Sequence, residues 1–203
     1  MKTLLTILTA TGCLLAFASC GSADSNTTTH QAQAAATDTS SPAPASAQYA
    51  SPAGVDAKVS AGIKGIVDAY LHVKNALAKD NAADAASAGT EIVTAVSKVD
   101  MTSMNDAQMK VWHEVMDDIK EHGQHIGDNA GKIAHQREHF DMLSKDMEEL
   151  VKTFGGGQKL YKDYCPMAFD SKGAAWLSKF EEIKNPYFGD EMLECGEVKE
   201  ELK

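Results

Sequence analysis

Ala130–Phe154 reads AGKIAHQREHFDMLSKDMEELVKTF, and its periodicity decides the fold. Ile133, Phe140, Leu143, Met147, Leu150 and Phe154 recur at helical steps, so one face of a helix is apolar while the other carries charge. Gly155-Gly156-Gly157 follows at once, as a helix stop should. Working outward, three further stripes precede this one. Val59, Ile63, Ile66, Tyr70, Val73 and Leu77 define a first helix, which Lys79-Asp80-Asn81 interrupts. An Ala-rich second helix over 82–99 turns Ile92, Val93, Val96 and Val99 inward, and its small residues allow close helix approach. A third, over 106–126, buries Met109, Trp112, Met116 and Ile119, with Ser103 or Asn105 as its cap. Short connections make successive helices antiparallel neighbours. The expectation is therefore an all-α antiparallel four-helix bundle over 55–203, closed by a C-terminal, turn-rich aromatic cap. Within that cap Leu160-Tyr161 extends briefly, and Lys172–Ile183 is expected to be a short helix facing the bundle through Trp176, Phe180 and Ile183.

The chain has 203 residues, 43% hydrophobic and 24% charged, which suits one globular domain with extensions. Its formal net charge of −10 excludes a nucleic-acid binder, which needs a basic patch. Lys2 and the apolar run Leu4–Ala18 read as a signal segment over 1–19. Its end, Leu15-Ala16-Phe17-Ala18-Ser19-Cys20, resembles the lipobox of bacterial lipoproteins, which makes Cys20 the lipidated N-terminus and discards Cys13; the alternative is an ordinary cleaved secretory signal. Residues 20–54 are rich in Ser, Thr, Ala, Gln and Pro and too poor in apolar side chains to form a core. They read as a tether reaching about 30 to 35 Å, with His30 a solvated bystander. The domain is expected on the periplasmic or cell-surface face of a bacterial membrane, held there by lipid.

The chemistry concentrates in two places. Tyr161–Val198 holds Cys165 in a Cys-Pro-Met triplet with Met167, and Met192 three residues before Cys195. Thiolates and thioethers are soft ligands that favour Cu(I) or Ag(I) over Mg²⁺ or Ca²⁺. Outside the cytoplasm the same two cysteines can instead pair as a disulfide, and closing that loop would stabilise the fold by about 3 to 4 kcal/mol. The second place is histidine-rich. His135 and His139 lie four apart on the fourth helix, and His122 and His125 lie across the turn on the third, so a helical hairpin can bring some of them together. His139 borders the apolar stripe and is the preferred imidazole to join the sulfur ligands. His72 and His113 read as structural, and Met109, Met116 and Met147 as core. The chain shows neither a Gly-x-Ser-x-Gly elbow nor a phosphate-binding glycine motif, so no enzyme is expected.

Gln136-Arg137-Glu138-His139-Phe140, Leu143-Ser144, Tyr164-Cys165-Pro166-Met167-Ala168, Gly173-Ala174-Ala175-Trp176-Leu177-Ser178, Asn185-Pro186-Tyr187-Phe188-Gly189 and Met192-Leu193-Glu194-Cys195-Gly196 together resemble the family catalogued as domain of unknown function 3347. The resemblance implies an exported domain, similar to those appended to the periplasmic adaptors of CusB-like heavy-metal efflux systems, and hence a metal-handling role beside such an adaptor or pump. Cys165, Met167, Met192 and Cys195 match that family's pattern position by position. Relatives often carry a histidine where this chain has Tyr164. Two functions follow from different classes: a lipid-anchored binder of Cu(I) or Ag(I), or an interaction module stapled by a Cys165–Cys195 disulfide.

Overall fold

The structure, a computed structural model, describes residues 54–202. The expected signal segment, Cys20 and the expected tether up to residue 53 lie outside the described residues. Four long helices form in the expected places: α1 (Ala57–Leu77), α2 (Ala82–Val96), α3 (Asp106–Asp128) and α4 (Ile133–Phe154). Local chemistry sets their ends. The Asp56 carboxylate accepts from Lys58 N at 2.8 Å and Asn81 Oδ1 from Asp84 N at 3.1 Å. Asn105 and Gln108 form a reciprocal capping box at the start of α3. Gly155 ends α4 at φ 77°, in the left-handed region that glycine enters freely.

Each helix packs on its sequence neighbour, and α1 also meets α4, which makes a helical bundle. Val59, Ile63, Ile66, Tyr70, Ile92, Trp112, Ile119, Phe140, Leu143, Met147, Leu150 and Phe154 are all buried in its core. The Ala-rich face of α2 does allow close approach. A Cβ at Gly89 would stand 2.6 Å from the Gly123 carbonyl oxygen, so α2 and α3 can meet at this separation only with glycine there.

The chain is not all-α. After Gly157, β1 (Leu160–Cys165), β2 (Ala174–Ser178) and β3 (Glu197–Leu202) form an antiparallel sheet in the order β2-β1-β3. Cys165 pairs with Ala174 and Tyr164 with Glu197, and an irregularity interrupts the β1–β3 register between Lys162 and Asp163. The helix expected over 172–183 is instead β2 and a turn. Trp176, Phe180 and Ile183 share helical spacing, yet Trp176 is buried and Phe180 is 63% exposed. Ser178 explains the break: its hydroxyl accepts from Phe180 N at 3.2 Å and donates to Phe180 O at 2.9 Å, a local pairing that competes with helix formation.

Two polar threads sew the sheet to the bundle. Tyr70 stacks on Phe140 at 5.0 Å, and its hydroxyl pairs with Ser144 Oγ at 2.8 Å and accepts from Leu177 N at 2.9 Å, joining α1, α4 and β2. Arg137 on α4 donates to Pro186 O at 2.8 Å, Leu77 O at 3.1 Å and Asp80 Oδ1 at 2.6 Å. Asp80 in turn accepts from Asp190 N at 2.9 Å, so one ion pair clamps the loop before Met192 onto the helices.

Candidate metal centre

The α3–α4 turn carries four imidazoles because of helical geometry. His122 and His125 lie one turn apart near the end of α3, and His135 and His139 one turn apart at the start of α4. Gln136, fully buried between the latter two, donates from Nε2 to Ile126 O at 3.0 Å and Ala82 O at 2.9 Å. Those bonds hold the end of α3 and the start of α2 against α4. Asn129 Nδ2 also donates to His125 O at 2.8 Å and closes the turn.

Three of the four rings converge. His125 and His139 stack with centroids 4.2 Å apart and planes 3° from parallel, and His135 meets His139 edge-on at 4.6 Å. One nitrogen from each of His125, His135 and His139 lies within 4.8 Å of the other two, and all three residues are part-buried. Metal–imidazole bonds of about 2.0–2.1 Å place ligand nitrogens roughly 3.3–3.6 Å apart. Small rotations of these side chains therefore suffice to seat an ion. His122 is next in line, with its Nδ1 3.2 Å from His139 Nδ1 and its Nε2 3.9 Å from Asp146 Oδ2. Glu138 bonds His135 at 3.2 Å and Glu121 lies 3.8 Å from His125, so carboxylates flank two of the three rings, as they commonly do around metal-binding imidazoles.

Electrostatics keep the lone pairs free. Burial, followed by the charges of His125, His135 and His122, depresses His139 to about 4, and burial lowers His122 as well. Asp146, by contrast, is raised to about 6 by burial and by nearby Asp118. At neutral pH His139 is an unprotonated imidazole among other imidazoles, the state a metal ion requires.

The sulfur residues sit elsewhere. Cys165, fully buried at the end of β1, and Cys195, part-buried before β3, are free thiols in hydrogen-bond contact. That contact, and then burial, raises Cys195 to about 11, opposed by the backbone N–H of Met167, which donates to its sulfur. Met167 and Met192 line one cleft of about 600 Å³ with Phe169, Tyr187 and Phe188. The structure thus joins Cys165 to Cys195 and Met167 to Met192. Among the described residues, the ring contacts and hydrogen bond of His139 go to His122, His125 and His135, not to sulfur. His72 bonds Glu91 at 3.0 Å and Asp84 at 3.2 Å, a structural link between α1 and α2, and His113 is exposed.

Residues 66–159 match the family model described as "Protein of unknown function (DUF3347)". Over this segment the chain resembles that family. The DUF3347 match contains all four clustered histidines together with Gln136 and Arg137, and it ends before Cys165. No curated protein and no solved structure matches the chain. Gln136 and Arg137 are the positioning residues that sequence reasoning passed over. Their signal was two polar side chains at the helical steps between Ile133 and Phe140, on the face that should be apolar. Among the described residues no helix is long and apolar enough to cross a membrane.

Proposed function

We propose that this is an exported, lipid-anchored protein that binds copper through His125, His135 and His139 and serves metal homeostasis or efflux outside the cytoplasm. The convergence of three imidazoles on one part-buried point, with His139 held unprotonated by burial and its neighbours, carries the reading. Imidazole suits copper, zinc and nickel and is a poor ligand for Mg²⁺ or Ca²⁺. Copper, or silver in its place, is preferred because the chain also carries soft sulfur ligands. Lipidation at Cys20 would hold the domain at a membrane and leave its histidine end free to exchange metal with an efflux adaptor or pump.

The test is an anaerobic titration of the reduced chain with Cu(I) against a competing chelator. Wild type is expected to bind an ion that His125→Ala/His135→Ala/His139→Ala loses, while His113→Ala binds as wild type does. An equal number of ions bound by the triple variant and wild type would refute the histidine site. Cys20→Ala should release the protein from membranes and abolish incorporation of labelled fatty acid; a wild type that is soluble and unlabelled would refute the anchor.

A further inference from the structure

We propose that Cys165 and Cys195 form a second, independent metal site, a bis-thiolate that takes a soft monovalent cation such as Cu(I). Both thiols are fixed before any ion arrives. Cys165 is the last residue of β1, fully buried and paired with Ala174 across the sheet. Cys195 is held by its backbone: its carbonyl accepts from Asn185 Nδ2 at 2.7 Å and its N–H donates to Met192 O at 3.0 Å. Asn185, itself fully buried, also donates from its backbone to Leu193 O at 2.7 Å. Gly196 follows at φ 151°, where a Cβ would stand 2.9 Å from the Trp176 ring. Only glycine there lets the chain lie so close to β1 and β2, and this closeness brings the Cys195 sulfur onto that of Cys165.

The chemistry follows from the donors. Two thiolates at about 2.3 Å from a metal lie up to roughly 4.6 Å apart when the ion sits on the line between them. Sulfurs already in hydrogen-bond contact therefore have only to open slightly. Binding converts two thiols and one Cu(I) into a bis-thiolate carrying one negative charge and releases two protons to solvent. The Met167 N–H already aimed at the Cys195 sulfur stabilises that charge. Met167 and Met192 line the adjoining cleft and offer thioethers as further soft donors. Arg137 lines the same cleft, but its guanidinium is committed to Asp80, Pro186 and Leu77. None of these ligands belongs to the histidine cluster, so this site stands or falls without it.

The experiment is an anaerobic Cu(I) titration of the reduced full chain against a competing chelator, read by stoichiometry and by the near-ultraviolet thiolate-to-copper absorption. Wild type should bind two ions and show the band, and the triple histidine variant should keep the band with one ion. Cys195→Ser, at the more exposed of the two positions, should lose the band and at least tenfold in affinity at this site. Met192→Leu should weaken that site about threefold. Circular dichroism of Cys195→Ser should match wild type, and Cys195→Ala provides a second check. The proposal is overturned if Cys195→Ser retains the band, or if reduced wild type shows none. It is equally overturned if the two cysteines remain a disulfide under reductants that keep the protein folded.

Discussion

The histidine end of the α3–α4 hairpin and the sulfur cap over 160–202 place reactive side chains by opposite means. At the hairpin, regular helices deliver four rings at one-turn intervals, and packing of Phe140, Ile119 and Ile126 decides where the helices lie. In the cap, single polar side chains bonded to distant backbone do the placing: Asn185 for Cys195, and Arg137 with Asp80 for the loop that leads to Met192. Apart from the Gln136 bonds to Ile126 O and Ala82 O, the first arrangement depends chiefly on packed volume, and the second chiefly on single polar side chains.

The largest effect should come where the regions meet. Phe140 is fully buried, stacks on Tyr70 and lies 5.8 Å from Tyr187 of the cap. Phe140→Ala should cost about 3–5 kcal/mol in urea unfolding and loosen both regions together. Asn185→Ala should separate them. It removes the bonds to Cys195 O, Tyr187 N and Phe188 N at a cost of about 3 kcal/mol, and should speed alkylation of Cys195 while leaving the far-ultraviolet helix signal intact. Simultaneous loss of the helix signal would break the comparison.

Asp163 sharpens the comparison through pH. Burial raises this fully buried carboxyl on β1 to about 7, against the opposing charge of Lys74 and the neighbouring Trp176 indole N–H. An acid whose folded pKa lies above its unfolded value binds more protons when folded, so the cap loses stability as pH rises from about 4 to about 7. Asp163→Asn lacks this loss. Its stability relative to wild type should shift in its favour over that window, by on the order of 2 kcal/mol, in unfolding measured at both pH values. His139 titrates with the opposite sign. Its depressed value gives stability that is full above its ordinary 6.5 and lost as pH falls toward 4. The smallest effect belongs to the metal-free hairpin, where His135→Ala should change stability by less than about 0.5 kcal/mol in equilibrium unfolding while weakening metal binding at least tenfold.

What the sequence made legible follows the same division. Four apolar stripes announced four helices because each stripe is local, and the hairpin argument correctly placed His135 and His139 opposite His122 and His125. The cap resisted. β3 reads EVKEEL, exposed at every residue but Leu202, so it lacks the alternation that marks a half-buried strand. β1 carries Lys162 and a buried Asp163 where an apolar pattern was sought. Trp176, Phe180 and Ile183 imitated a helix because nothing in their spacing records the Ser178 hydroxyl that turns the chain. The expected union of His139 with the sulfur ligands failed for a related reason: periodicity fixes which face of α4 a ring occupies, but not which distant loop covers that face.

The central claim, that His125, His135 and His139 hold a metal ion, is tested most directly by anomalous diffraction at the copper edge from crystals of the copper-loaded protein. The account expects a peak about 2 Å from one nitrogen of each of the three rings. A fully loaded crystal with no peak between these rings would contradict it.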